Sequence, residues 1–277
     1  MSSVLFDIPG PKARRRHRLY TAGFALLLLA AAYFVVQRLR SEGVLTAEVI
    51  NASFQNRYIS FMFEGLIGTL KAAGLAIVGA IVLGALLAVG RLSNHAVVRW
   101  PCTVVIEFFR AVPLVLLIII IWYSFKETIG TLASLVAGLT LYNGAVLAEV
   151  FRAGVGAVPR GQSEAAYAIG MRKTQVMSLI LMPQAVKFML PAIVSQCVIV
   201  LKDTSLGFVI VFPELVKNSR QVALSVEDGT ILIYSAAAVV FIVINYSLSK
   251  LAEFLQRRLA GRGQRADQAL TAEPGMG

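Results

Sequence analysis

Six stretches of the chain carry no formal charge: Leu19–Gln37, Ala72–Gly90, Ala111–Phe125, Thr128–Ala148, Phe188–Leu201 and Gly229–Ser249. A helix needs roughly 20 apolar residues to cross about 30 Å of hydrocarbon. Four of the runs meet that length directly. The third and fifth are short, and span only if charged residues beside them are admitted. The pattern predicts an all-α membrane protein with six transmembrane helices. Its layout is a basic tail over 1–18, a first span over 19–37 and an outer loop over 38–64. A core over 65–254 then holds five spans and an inner loop at 153–182, and a second tail covers 255–277. The outer loop carries Phe54, Tyr58, Phe61 and Phe63 among mixed charges. A short interfacial amphipathic helix and an ordinary loop both fit that pattern.

Smaller features refine these elements. Ala76, Ala80, Gly84 and Ala88 recur four residues apart, with Ala73, Gly79 and Gly90 nearby. Small residues on one helical face let a neighbouring backbone approach closely, which favours tight packing in lipid. Packing within the chain is the simpler reading of the stripe. Between Arg152 and Met182 the chain reverses direction. Pro159 can open a helix, Glu164 is expected in its first turn beside the positive dipole end, and Gly170 permits a sharp bend. Lys202 through Asp228 reads as a polar outer loop interrupted by apolar Phe208–Phe212. Pro9-Gly10-Pro11 and the basic run after it suggest a flexible leading tail, and the end of the chain reads as disordered after Arg258.

Composition places the chain in the membrane class: 57% hydrophobic and 15% charged residues. A net charge of +11 would suggest a nucleic-acid partner for a soluble protein. The placement of the charges gives a better account. With the N-terminus inside, basic residues between Lys12 and Arg18, at Arg91 and Arg99, between Arg152 and Lys173, and between Lys250 and Arg265 share the inner side. The outer side holds fewer: Arg38, Arg40, Arg57, Lys71, Lys126, Lys202, Lys217 and Arg220. This positive-inside bias puts both termini in the cytoplasm. The first apolar run is longer than a signal core and lacks a small-residue cleavage site before Gln37, so it reads as a retained helix. Cys102 and Cys197 suggest neither a disulfide framework nor a metal site, and His17 and His95 read as solvated.

The inner loop carries the most specific pattern. Glu164-Ala165-Ala166 is followed by Gly170, and later by Ile180-Leu181-Met182-Pro183. This resembles the EAA loop of ABC importer membrane subunits: EAA, three residues, Gly, nine residues, then Ile-x-Leu-Pro. Met182 alone departs from it. The resemblance implies a type I importer permease fold, with a coupling helix that docks on a separate ATPase subunit. Arg160, Gly161, Glu164, Ala165, Ala166, Gly170, Arg172 and Lys173 are the candidate coupling residues, the charged ones as sources of orienting ion pairs. No catalysis is expected on this chain; ATP and Mg²⁺ belong to the partner ATPase.

A charged group at membrane depth costs roughly 2.5–3.5 kcal/mol on insertion scales, so it usually faces the bundle interior or water. Glu107 and Arg110 lie three residues apart, and Phe109-Arg-Ala-Val-Pro113 resembles a Phe-Arg-Gly-Thr-Pro segment of polar amino-acid permeases. A structural ion pair and a path-lining role both fit. Glu149 and Arg152 repeat the spacing at the inner end of the fourth span, where snorkelling accounts for Arg152. Asn143, at mid-span, calls for a helix-to-helix bond or a substrate contact. Lys202-Asp203-Thr204-Ser205-Leu206 resembles the family's Lys-Asp/Asn-Thr-Ser-Leu stretch, which could line an outer vestibule or cap a helix end. Glu107, Arg110, Asn143, Glu149, Lys202, Asp203, Thr204 and Ser205 are thus the candidate path residues. The opening Val4–Lys12 looks like that of the longer permeases of actinobacterial glutamate uptake systems. The resemblance implies two ATPase subunits, a second permease subunit and an extracellular solute-binding protein, with glutamate as the preferred substrate. An ion-coupled secondary transporter is the rival class, but neither internal repeats nor interrupted helices around an ion site are evident.

Overall fold

The computed structural model describes residues 10–271, and no strand occurs among them. Residues 1–9 and 272–277 lie outside them, and with them most of the Val4–Lys12 segment. The first helix, α1, runs Pro11–Ser41, with proline at the position where its missing N–H costs nothing. It exceeds the predicted span at both ends, so the basic run after Pro11 is helical rather than a loose tail. None of its apolar window is buried against the rest of the protein. A helix apolar all round and uncovered by protein presents itself to lipid.

The outer segment is also helical. Thr46 caps α2 (Ala47–Ser53) by accepting from the Val49 N–H at 3.3 Å. The next helix, α3, begins at Asn56 and runs unbroken to Arg91. Its small-residue stripe is buried, and the facing element is α5 (Leu114–Gly156) of the same chain. The approach is close enough to exclude side chains: a Cβ on Gly84 would lie 2.9 Å from the Gly144 carbonyl oxygen. At Gly79 it would lie 2.7 Å from Thr140 Oγ1. The stripe thus acts within the chain, as its spacing suggested.

Among the described residues five continuous elements are long and apolar enough to cross a membrane, and one of them holds two of the six uncharged runs. That element is α5. Gly130, at φ 78° and ψ 170°, turns this helix back on itself. Across the turn Trp122 Nε1 donates to Thr131 Oγ1 at 3.4 Å, and Ile118 fills the place of a side chain on Gly138. The third and fourth apolar runs are therefore two arms of one bent element. Glycine takes a positive φ at little cost, whereas most residues do not. The arms bury Ile118, Leu135 and Leu139 against Ala72, Ala76, Val200, Ile210 and Phe212.

Helix α4 (Ala96–Ala111) crosses the end of α3, with Ile106 packed on Ala88, Ala145 and Ala148. The reversal after α5 holds α6 (Arg160–Ala168) and the short α7 (Lys173–Gln175). A wide, π-type turn over Val176–Leu181 then leads into α8 (Met182–Asp203). Pro183 has no N–H to donate and its ring crowds the carbonyl four residues back, which the widened turn relieves. A 3₁₀ helix (Thr204–Ile210) and α9 (Leu215–Ala223) come next, at the far end. The last helix, α10, runs Thr230–Thr271. The segment after Arg258 thus continues a helix as far as Thr271 rather than being disordered.

Candidate functional site

The sharpest sequence pattern falls on the elbow between α5 and α8. Pro159 stands at the N-cap of α6, and Gly170, at φ 83°, provides the left-handed residue that ends it. The Gly170 N–H donates to the Tyr167 carbonyl at 2.9 Å, and that of Met171 to the Ala166 carbonyl at 3.2 Å. Glu164 is the fifth residue of α6, one turn later than its sequence reading, so the dipole of the first turn is not what places it. Ala166 is buried, whereas Arg160, Gly161, Glu164 and Ala165 are exposed. Ile169 is 80% exposed, an uncovered apolar residue at the tip.

The ion pairs expected inside the elbow are absent among the described residues. Glu164 joins none, and Lys173 turns instead to the loop after α3, donating to the Leu92 carbonyl at 3.1 Å and to Asn94 Oδ1. Arg172 contributes its backbone N–H, which Gln175 Oε1 accepts at 2.8 Å. Gln184 on α8 ties α6 down by bonding Gln162 Oε1 at 3.4 Å and the Ile180 carbonyl at 2.9 Å. The elbow is therefore anchored from within, with Glu164 and Ile169 left outward.

Beside the elbow, three of the candidate path residues meet. Arg91, at the end of α3, binds Glu107 of α4 at 3.3 Å and also Glu149 of α5. Arg110 closes on Glu107 at 3.4 Å, and Arg152 on Glu149 at 3.0 Å. Alternating charges thus join Arg110, Glu107, Arg91, Glu149 and Arg152 across three helices. The two predicted i,i+3 pairs are both formed, and Arg152 has a partner rather than merely snorkelling. In the sequence Arg91 counts only as an inner-side charge. Its signal is its position at the last turn of a span, but the pairing depends on contacts 16 and 58 residues apart.

Asn143 lies apart from this cluster, fully buried. Its Nδ2 donates to the Leu139 carbonyl at 2.8 Å, and its Oδ1 accepts from Gln196 Nε2 of α8 at 2.6 Å. This is the helix-to-helix reading of the mid-span amide. Gln196, which sequence reasoning missed, is the amide in the fifth apolar run.

At the far end, Thr204 Oγ1 donates to the Leu201 carbonyl at 2.6 Å and Ser205 Oγ to that of Lys202 at 2.9 Å. Asp203, at the N-cap of the 3₁₀ helix, makes no side-chain capping bond. Lys202 and Ser205 line a groove of about 550 Å³ that also borders Tyr234, Phe241 and Asn245 of α10. The Lys202 cluster therefore both closes a helix end and faces open space.

The segment beyond Ser205 is not the polar loop that Lys202–Asp228 suggests. Ile210, Phe212, Leu215 and Val222 are buried, and the segment is clamped onto the first half of α3. Thr69 Oγ1 accepts from the Leu215 N–H at 3.1 Å, and Asn218 Nδ2 donates to the Phe61 carbonyl at 2.7 Å. A Cβ on Gly68 would collide with the Pro213 carbonyl oxygen. Val211 holds a left-handed φ of 59°, strained for a β-branched residue. Glu214 is fully buried and caps α9, accepting from Val216 N–H at 2.7 Å and Lys217 N–H at 2.6 Å. Burial pushes its carboxyl up to about 7, against the opposing pull of those two N–H groups and of the Lys217 charge.

An elbow bearing this motif, set between long apolar helices, has clear relatives. The family of binding-protein-dependent transport system inner membrane components matches residues 80–261. The chain belongs to this family. Corynebacterium glutamicum has a relative, the glutamate transport system permease protein GluD, that is 41% identical over 215 residues, covering 75% of this chain and 78% of that one. The Bacillus subtilis protein GlnP, described as a probable glutamine ABC transporter permease, is 33% identical, covering 74% of this chain and 97% of its own. A crystal structure of an amino acid ABC transporter with histidines superposes with a TM-score of 0.68 at 29% identity, over 73% of this chain and 95% of that chain. The fold is thus that of a type I importer permease. Membership of this inner membrane component family makes the chain a multi-pass membrane subunit of an ABC importer, whose ATP hydrolysis resides on a separate subunit.

Proposed function

We propose that this permease subunit carries a polar amino acid, glutamate above all, into the cell across the plasma membrane. The observation that carries the reading is the elbow: an anchored short helix with Glu164 and Ile169 turned outward, ended by Gly170 in a left-handed conformation. The 41% identity to a glutamate permease supports the choice of substrate. In this reading the elbow end and both termini face the cytoplasm, in line with the basic residues gathered there. Arg160, Gly161, Glu164, Ala165, Gly170, Arg172 and Lys173 form the coupling surface, with Ala166 buried beneath it, and an ATPase groove receives it. Lys202, Asp203 and Ser205 line the outward part of the path, with Thr204 buried behind them. Glu107 and Glu149, locked to Arg91, and Arg110, paired with Glu107, hold its inner end together, and Asn143 fixes α5 to α8.

The assembly comprises two ATPase subunits that bind ATP and Mg²⁺, a second permease subunit and an extracellular solute-binding protein. One chain has one elbow, whereas an ATPase dimer has two grooves, so paired permeases satisfy both. ATP-driven closure of the ATPases brings the two elbows together and opens the path outward; hydrolysis resets it. The bias comes from the different contacts the elbow makes in the two ATPase states.

The test is uptake of labelled glutamate by cells or proteoliposomes holding the whole assembly. Glu164→Lys and Gly170→Val should reduce ATP-dependent uptake to background while the chain still reaches the membrane. Uptake that persists unchanged, or that follows an ion gradient without ATP, rejects the coupling role.

A further inference from the structure

The chain joins the elbow to α5 and α8, yet one of its side chains reaches a third helix. Lys173 Nζ donates to the Leu92 carbonyl at 3.1 Å and also to Asn94 Oδ1, partners 81 and 79 residues away in sequence. Leu92 is the C-cap of α3, and Asn94 stands in the turn that leads to α4. The last carbonyls of a helix lack partners within it and carry the negative end of its dipole. A lysine ammonium answers both needs, and a bond from a charged donor is roughly twice as strong as a neutral one. Lys173 therefore closes a helix to which it does not belong.

The surroundings make this contact a mechanical link. Among the described residues, no other hydrogen bond or ion pair joins the segment 160–181 to α3 or to the turn after it. A cleft of about 380 Å³, lined by Val89, Leu92, His95, Thr174, Met177 and Met182, lies between the two sides around that bond. Close packing is missing there, so the lysine is the bridge across the gap. What it grips is not loose. The Leu92 N–H donates to the Ala88 carbonyl at 2.9 Å, and its neighbour Arg91 is bound to Glu107 of α4 at 3.3 Å and to Glu149 of α5. On the opposite side Gln184 of α8 holds Gln162 of α6 at 3.4 Å. The elbow thus has two tethers beyond the backbone, an amide to α8 and an ammonium to α3.

We propose that Lys173 is a positioning residue that makes α3 follow the elbow. Movement imposed on α6 and α7 passes through its ammonium to the Leu92 end of α3, and from Arg91 onward to α4 and α5. Without the bond the elbow still docks and moves, but α3 does not follow. The proposal rests on the importer reading and deepens it, since it gives Lys173 an inward task that docking on an ATPase does not require.

Proteoliposomes holding the whole assembly test it, with imported labelled glutamate and hydrolysed ATP measured together. Lys173→Met should raise the ATP hydrolysed per glutamate about tenfold, the factor for loss of one charge-assisted bond. The ATPase should remain bound to this variant in a pull-down. Asn94→Lys, which sets a like charge against the ammonium from the α3 side, should raise the ratio in the same way. Lys173→Arg keeps charged donors and should stay near wild type. Lys173→Glu should uncouple, and adding Asn94→Lys to it should bring the ratio back by re-forming the pair with its charges exchanged. A bond that only stabilises the chain would lower the amount of assembly and leave the ratio alone. An unchanged ratio in Lys173→Met or in Asn94→Lys overturns the proposal, as does an exchanged pair no better coupled than Lys173→Glu. Loss of the ATPase from Lys173→Met also overturns it, and makes the lysine a docking contact. Wild-type liposomes without ATP-driven uptake refute the importer reading and this inference with it. ATP-driven uptake with no rise in the ratio sinks this inference alone.

Discussion

The two ends of α3 are held in opposite ways. At the elbow end Arg91 joins Glu107 and Glu149 by charge, across side chains that keep some contact with water. At the far end Gly65, Gly68 and Thr69 meet Glu214, Pro213 and Leu215 by close backbone approach, with scarcely a gap. An ionic junction can be made and broken with small movements, since its attraction changes gradually with distance. A close-packed one is bistable, because a displacement of about half an ångström already forfeits much of its contact energy. The elbow end is thus suited to transmit movement, and the far end to hold a fixed shape.

The largest expected effect comes from spoiling the packed end. Gly68→Ala forces its methyl into the Pro213 carbonyl and should lower stability by about 3 kcal/mol, seen by denaturation in mixed micelles. Gly74→Ala, with nothing within 4 Å, is the matched control and should be neutral or slightly stabilising. Breaking the ionic end should cost less. Arg91→Met leaves two carboxylates facing each other, for about 2 kcal/mol, and should loosen α4 as read by faster hydrogen exchange there. A loss at Arg91 as large as that at Gly68 would erase the contrast.

Acidity sharpens the same comparison. The Glu214 carboxyl titrates near 7 in the folded chain, above its ordinary 4.5, so the folded state holds that proton more tightly. Its contribution to stability is complete below the ordinary value and is lost as pH rises through about 7. The slope should be about 1 kcal/mol per pH unit or less between those limits, and Glu214→Gln should flatten it in a thermal unfolding series. The smallest effect belongs to Glu107→Gln, whose half-exposed pair should change stability by less than about 1 kcal/mol.

Local features are the legible ones. Gly170 is marked by its spacing from Glu164, and a left-handed glycine there is a property of adjacent residues. The small-residue stripe can be read from sequence because helical periodicity alone puts Ala76, Ala80 and Gly84 on one face. Glu107–Arg110 and Glu149–Arg152 are visible as i,i+3 pairs. Arg91 and Gln196 are not, since each acts through a partner dozens of residues away. The segment after Asp203 misleads for a different reason: its buried Ile210, Phe212, Leu215 and Val222 alternate with charged residues, and no simple period separates the faces. Gly65 and Gly68 hold the one available clue, small residues three apart in an otherwise bulky and charged stretch. The bend in α5 is legible in outline, because Lys126 and Glu127 part the third and fourth apolar runs, although nothing local marks Gly130 as the residue that turns.

Helix α3 runs from Asn56 to Arg91 with no proline and no break, about 54 Å of continuous rod. Such a rod has no joint in which a disturbance can be dissipated. A tilt begun by the ions at its foot must therefore swing its crown, and with it the α9 segment that is clamped there.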